Sequence, residues 1–327
     1  MREYGFELRL CAHLETVVDG VVARQIGGGV HEGGRRVLDI VTVEPGTEFD
    51  QRTAITDRTI PSKAIHSEIG IEGTRSWQRA IEGSPATSHR VLEGAIDIGF
   101  FERVHRDGRV AVRQTTRYPD WIGPITAIEN KPTLSSPGEL REQLRFDVAI
   151  GLVDRVILAT ASHVTGAHLN RIPEEVGVWR VDVSDEIPTI DPIREPVPLD
   201  PHTWGIELGD QEGLARRVRP VSPEEKRRAR IRIAERVYGK GWRPAFPGCT
   251  KIASADASES NAIPFCTWKD RIVDPSGCGS DCPGYAAAEP PTPDRSTERD
   301  DRSAWVHDPD GVRRVQSGLE AFDESSK

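Results

Sequence analysis

Residues 4–15, YGFELRLCAHLE, place Phe6, Leu10 and Leu14 four apart, which predicts an amphipathic helix near the start of the chain. Two runs of strand character follow, VVARQIGG and RRVLDIVTVE. The glycine-rich GGVHEGG between them predicts a hairpin, with Asp39 in the middle of its second strand. Beyond Pro45 the pattern turns helical in IPSKAIHSEIG and SHRVLEGAIDIGFFERV, the latter leading into a hairpin about Asp107-Gly108. ITAIENKPTL, residues 125–134, is a β-type run in which strand alternation puts Ile125, Ala127, Glu129 and Lys131 on one face. SSPGELREQL then starts a helix, with Ser136 as N-cap, Pro137 at the first helical position and Glu139 closing a capping box. RVILATA and VGVWRVDV read as buried strands separated by HVTGAHLNRIPEE, an order that implies parallel pairing through a right-handed crossover. The fold class is therefore α/β, a mixed sheet flanked by helices.

The same pattern suggests how the chain is divided. Residues 1–200 form one α/β domain that ends in the proline-rich IPTIDPIREPVPLDP. Within it, 45–118 is an insertion whose helices and hairpin resemble a winged helix, or else an ordinary α/β connection. Residues 201–245 are a connector carrying the capped helix SPEEKRRARIRIAERVYGKGWRP, and 246–285 hold four cysteines. Residues 286–327, rich in Pro, Asp, Glu and Ser, read as a largely disordered tail.

Charge changes this picture at two places. Glu129 and Lys131 share a strand face with apolar neighbours, and a charge away from water is costly unless paired or bound to metal. The net charge of −9 excludes binding nucleic acid by overall basicity, so any DNA contact must be local. The helix at 223–240, with Lys226, Arg227, Arg228, Arg230, Arg232 and Arg236, supplies one such stripe, and Arg227, Arg228 and Arg230 are its candidate phosphate contacts. Its alternative is a solvated helix face. The N-terminal stretch lacks the apolar core of a secretory signal, and no apolar run approaches the roughly 18 residues of a membrane span. A cytoplasmic chain without membrane contact is expected. Five cysteines there read as metal ligands or buried thiols.

The order helix, hairpin with an acid, strand with E-x-K, helix, strand resembles the PD-(D/E)XK nuclease superfamily, and AIENK is similar to its signature. The resemblance spans roughly residues 1–182 and implies a restriction-endonuclease-like core that hydrolyses DNA phosphodiesters with Mg²⁺ or Mn²⁺. Glu129 and one aspartate would hold the ion, and Lys131 would orient the attacking water and offset charge developing on the phosphate. Two aspartates compete for the second ligand. Asp39 has the topological position; Asp120, nine residues before Glu129 in YPDWIGPITAIENKP, has the literal spacing. Gln143 stands where the RecB-like branch carries Q-x-x-x-Y, although Asp147 replaces the tyrosine, and His13 resembles that branch's helix-borne metal ligand. A degenerate nuclease fold that binds nucleic acid without turnover is the alternative. The chain as a whole also resembles a haloarchaeal family of unknown function, through FELRLCAHLE, RVLDIVTVEPG, RYPDW, IENKP, AHLNRIP, VGVWR and YGKGWR. The excess of Arg over Lys, 36 against 7, agrees with that impression.

Cys249, Cys266, Cys278 and Cys282 are separated by 16, 11 and 3 residues in loops rich in Gly, Pro and Ser, a set suited to tetrahedral zinc. The RecB-like resemblance implies a rival, a [4Fe–4S] cluster held by one early and three late cysteines, with Cys11 as the early one. A buried apolar thiol is the other reading of Cys11.

Overall fold

The computed structural model describes residues 2–31, 36–55, 60–65, 67, 69–70, 74–81, 83–106, 109–115, 117–134, 140–183, 187–212, 215–255, 260 and 262–306. The described residues fall into two compact units, one built from residues 2–44 and 124–305 and the other on residues 45–123.

The first unit is built on a six-stranded sheet. Helix α1 (Glu3–Val17) leads into the hairpin β1 (Val21–Gly27) and β2 (Val37–Pro45), which pair antiparallel from Val21↔Val43 to Gly27↔Val37. The second unit interrupts the chain here. It contains the short helices α2 (Phe49–Thr53), α3 (Ser62–Ile65) and α4 (Trp77–Ala80), the longer α5 (Pro85–Asp97), and the hairpin β3 (Phe101–Arg106) and β4 (Arg109–Gln114). Ser84 caps α5 and Pro85 opens it. Ile60, Ile69, Ile81, Leu92, Phe100 and Val112 form its core, and Arg75 bridges Val112 as a one-residue third strand beside the hairpin. The Asp107-Gly108 turn lies outside the described residues.

The chain then returns to the sheet with β5 (Ile122–Asn130), α6 (Leu140–Ile150), β6 (Arg155–Thr160), α7 (Gly166–Leu169), β7 (Gly177–Asp182) and β8 (Thr189–Arg194), giving the order β1-β2-β5-β6-β7-β8. β5, β6 and β7 run parallel, as the two crossovers through α6 and α7 require. The capping box expected at 136–139 falls outside the described residues; the helix itself is in place from Leu140. Strand β8 was not expected in the proline-rich stretch. Pro192 sits opposite Trp179 on the sheet's outermost strand, where a missing N–H costs no ladder bond.

Residues 201–245 are more than a connector. β9 (Gly205–Glu212) and β10 (Ala215–Val221) form a second hairpin, and the capped helix α8 (Pro223–Lys240) follows. The Ser222 hydroxyl accepts the Glu225 N–H while Glu225 accepts the Ser222 N–H, so both members of the capping box are present. β11 (Ile252–Ser254), β12 (Pro264–Cys266) and β13 (Arg271–Ile272) make a small three-stranded sheet in the cysteine-rich segment.

The stretch read as a disordered tail holds a helix, α9 (Arg295–Arg302), capped by Asp294. Its Arg299 is buried, donates to the Val237 carbonyl at 3.2 Å and lies 4.6 Å over the Trp305 ring. Glu298 accepts from Arg243 at 3.2 Å, and Arg243 in turn makes a two-pronged pair with the fully enclosed Glu15 of α1 at 2.8 and 2.7 Å. This polar anchoring explains why an apolar-poor segment is ordered. It also explains why α1 is not one-faced as its spacing suggests. Leu8, Cys11, Ala12 and both Glu7 and Glu15 are buried along with Phe6, Leu10 and Leu14.

Candidate acidic site

Strand alternation along β5 decides what meets what. Ile128 joins Phe6, Leu10 and Leu14 of α1 in one hydrophobic cluster with Val22 and Ile40, so the even positions of β5 face α1. The odd positions Ile125, Ala127 and Glu129 face the other way, and the first two are buried. Glu129 therefore ends an apolar row and is itself only 6% exposed. Lys131 lies one residue past the strand, yet its N–H still donates to the Ala159 carbonyl at 2.9 Å, which keeps the chain extended.

Three acids converge here. Asp39 of β2 accepts the Asn130 N–H at 3.0 Å and the Gln25 side-chain amide at 3.3 Å. Asp147 of α6 is buried and receives a two-pronged Arg36 guanidinium at 2.9 and 2.6 Å. The same guanidinium reaches Glu129 at 2.7 Å and the Val37 carbonyl at 2.6 Å. Arg36 thus spans two acids from the end of the β1–β2 hairpin, where its carbonyl accepts the Gly28 N–H at 2.8 Å. On the neighbouring hairpin, the buried Glu207 accepts the Val30 and His31 amides at 2.9 and 3.1 Å and so ties down the segment that leads toward Arg36.

Burial followed by the nearby Asp39 carboxylate pushes Glu129 up to about 7, against the pull of Arg36. Asp39 is raised by burial too, opposed by the Asn130 N–H, Arg36, Gln25 and Lys131. Asp147 is raised by burial despite its Arg36 bonds. Burial works against the charge of Arg36, but Asp147 and Glu129 more than offset it and hold the guanidinium protonated. Three desolvated carboxylates against one embedded guanidinium leave the site short of positive charge.

Lys131 is partly exposed, lies 3.7 Å from Glu3 and favours the ionised form of Asp39. Glu7, on α1, accepts from Arg24 at 2.7 Å and Gln25 at 3.1 Å. Burial raises Glu7 first, and Asp39 adds to the effect. Gln25, whose amide bridges Glu7 and Asp39, has φ +56°, left-handed backbone that glutamine rarely adopts. It sits opposite Asp39 in the hairpin register, between the paired Arg24↔Ile40 and Ile26↔Leu38.

The structure thus brings together Asp39, Glu129 and Lys131 among the expected residues, and adds Arg36, Asp147, Gln25 and Glu7. Gln143 is half-buried one helical turn before Asp147. Asp120 belongs to the second unit, where it is exposed and its backbone N–H and carbonyl engage Glu48. His13 is half-buried on α1; the acid that this helix offers to Asp39 is Glu7. The basic helix is not a free stripe. Lys226 is 2% exposed, Arg230 donates to the Leu152 carbonyl and to Asp154, both at 2.9 Å, and Arg227 and Arg228 pair with Glu224. Cys11 is enclosed in the α1 cluster, where burial drives its thiol well up. Among the described residues, no group of three or more His, Cys, Asp or Glu side chains is arranged to hold a metal ion. Two carboxylates with water and substrate oxygens are an ordinary Mg²⁺ donor set, and Asp39 with Glu129 fits that description.

A cleft of about 430 Å³ lies on the even side of β5, lined by Thr126, Ile128, Leu14 and Trp179 among others. Its Glu44 and Arg155 pair at 2.7 Å and are only half-buried, so it holds no comparable strain. No helix among the described residues is long and apolar enough to cross a membrane.

Neither the curated proteins nor the solved structures yield a match to this chain. Residues 21–287 match the model described as "Family of unknown function (DUF5787)", a span that takes in the hairpin acid, the E-x-K strand and all four late cysteines. The chain belongs to that family.

Proposed function

We propose that the first unit is a restriction-endonuclease-like core and that the chain is a metal-dependent nuclease hydrolysing DNA phosphodiester bonds. The observation that carries this reading is the placement of Asp39 and Glu129 as neighbouring buried acids, both raised by burial and Glu129 further by the Asp39 carboxylate, with Lys131 beside them. Such a pair is stable as two anions only when a cation offsets it. Asp39 and Glu129 would hold a Mg²⁺ or Mn²⁺ ion, which when bound polarises the phosphodiester and makes water a better nucleophile. Lys131 is partly exposed and so able to orient that water and to offset charge on the phosphate oxygens. Gln25 fixes Asp39 from the opposite strand, and the Asn130 N–H holds its second oxygen. Arg227, exposed on α8, is the candidate for a phosphate contact. The four-cysteine module would be an appendage to this core.

One observation favours a second reading, a nucleic-acid-binding protein without turnover. Arg36 already neutralises part of the acid cluster, as a substitute for a metal would in a degenerate site. The helices and bridged hairpin of the second unit would then supply the binding surface.

Cleavage of labelled linear and circular DNA in Mg²⁺ or Mn²⁺, at low and high KCl, tests the choice. The nuclease reading expects cleavage by the wild type that is abolished in Glu129→Ala, Lys131→Ala and Asp39→Ala and retained in Asp120→Ala. DNA binding without cleavage by any of these proteins would establish the second reading instead.

A further inference from the structure

The segment from Phe246 to Tyr285 has too little apolar substance to stand by itself. Its strands are three, three and two residues long, and its cluster consists of Phe246, Cys249, Ile252, Cys266 and Val273, with Cys278 and Tyr285 packed on it. Three of those seven residues are cysteines. A unit this small ordinarily needs a staple. All five cysteines of the chain are free thiols, so the staple is not a disulfide.

We propose that Cys249, Cys266, Cys278 and Cys282 bind one structural zinc ion. Cys266 ends the central strand, paired with both Ile252 and Arg271, while Cys249 lies where the chain bridges Ala287. Turns closed by the Pro275 carbonyl to the Cys278 N–H and by the Gly279 carbonyl to the Cys282 N–H present the last two. Cys249, Cys266 and Cys278 meet in the one small cluster of this segment. Backbone N–H groups of Ala286, at 3.5 Å, and Lys251 point at the Cys249 sulfur. Such donors orient and support a ligating thiolate.

Among the described residues no three of these side chains are already set to grip an ion. The fold contributes convergence of four sulfurs from separate segments, with no carboxylate or imidazole among them, and an all-sulfur set selects zinc or iron. The packing of Cys249, Cys266 and Cys278 in one small cluster suits a single ion, whose tetrahedral sulfurs lie about 3.8 Å apart given a zinc–sulfur bond of about 2.3 Å. In an iron–sulfur cube each cysteine binds a different iron and the sulfurs stand farther apart. Cys11 is sequestered in the α1 cluster, apart from this set.

The zinc unit has a mechanical role as well. A Cβ added at Gly5 of α1 would lie 3.4 Å from Ile272 on β13, so the module braces the helix that carries Glu3 and Glu7.

The test is the metal content of the full-length protein, measured by plasma mass spectrometry and absorbance after growth with both zinc and iron. One zinc per chain and a colourless protein are expected. Growth in cobalt should give the ligand-field bands of tetrahedral thiolate cobalt. Cys266→Ser and Cys278→Ser should lose the ion, while Cys11→Ser and Glu129→Gln keep it. Protein free of metal, protein carrying iron with visible charge-transfer absorbance, or zinc that survives the Cys266→Ser/Cys278→Ser double variant would each overturn the proposal. If the serine variants do not fold, the wild-type metal content and cobalt spectrum still decide it. Chelation adds a second reading, expected to strip amide-exchange protection from the first turns of α1.

Discussion

Glu129→Gln is the most informative single change, because it removes a charge while keeping an oxygen for the 2.7 Å bond from Arg36. The folded chain holds the Glu129 proton up to about pH 7, against an ordinary value near 4.5. A carboxyl raised on folding binds its proton more tightly in the native state, so stability falls as pH climbs between those two values. The penalty is absent below about pH 4.5 and complete above about pH 7. It amounts to about 3–4 kcal/mol, at about 1.4 kcal/mol per tenfold change in proton affinity. The glutamine variant escapes it. Urea unfolding of both proteins in EDTA, at steps from pH 4 to pH 8, should therefore show the variant gaining on the wild type by about 3–4 kcal/mol across the range. The other titrating groups are shared, and those outside the cluster of Asp39, Asp147 and Arg36 cancel in the difference. Added Mg²⁺ should reverse the order at pH 8 by stabilising only the wild type. A difference that stays flat with pH, or a variant that loses ground as pH rises, would refute the idea that Glu129 is a strained anion.

Other changes follow from the same geometry. Arg36→Met leaves Glu129 and Asp147 buried without their shared guanidinium and should cost about 3–5 kcal/mol at pH 8, shrinking in acid as both carboxyls take up protons, as read by urea midpoints. Gln25→Gly should be more stable than Gln25→Ala by about 1 kcal/mol, since both lose the bridging amide but only glycine accepts φ +56° freely; equal stabilities would remove the strain argument. Arg243→Ala should cost about 3–5 kcal/mol by abandoning Glu15, whereas Arg227→Ala on the exposed face of α8 should stay within about 0.5 kcal/mol. Hydrogen exchange should show protected amides at the C-terminal end of α9, and exchange there at the rate of an unfolded peptide would contradict its docking through Arg299.

Much of the first unit was legible because its strands carry clear signals. The apolar RVILAT reads as a parallel strand, and the alternation through Ile125, Ala127 and Glu129 fixes which face of β5 meets α6. Glu129 could be picked out for the same reason, as a charge inside an apolar strand, whereas Asp39 was one of two candidates, singled out by its topological position against the literal spacing of Asp120. Arg36 could not, because its partners lie 93 and 111 residues away and nothing local distinguishes it from Arg35. Asp147 was visible only as an odd residue one turn after Gln143 on the apolar side of a helix. The face pattern of α1 misled because Glu7 and Glu15 look like solvent positions until Arg24 and Arg243 arrive from distant segments to bury them. Composition misled at α9 for a related reason. Its docking rests on Glu298 and Arg299, polar residues that hydropathy counts as exposed. The edge strand β8 was hidden by its prolines, which mark loops in a chain but are harmless on an outer strand.

On the proposed reading, Asp39 and Glu129 share one divalent cation. Titrating Mn²⁺ into the metal-free protein, followed by its paramagnetic resonance signal, tests this directly. One tightly held Mn²⁺ per chain is expected in the wild type and in Asp120→Asn, and none in Asp39→Asn or Glu129→Gln. Binding that survives loss of both Asp39 and Glu129, or no binding by the wild type at all, would contradict it.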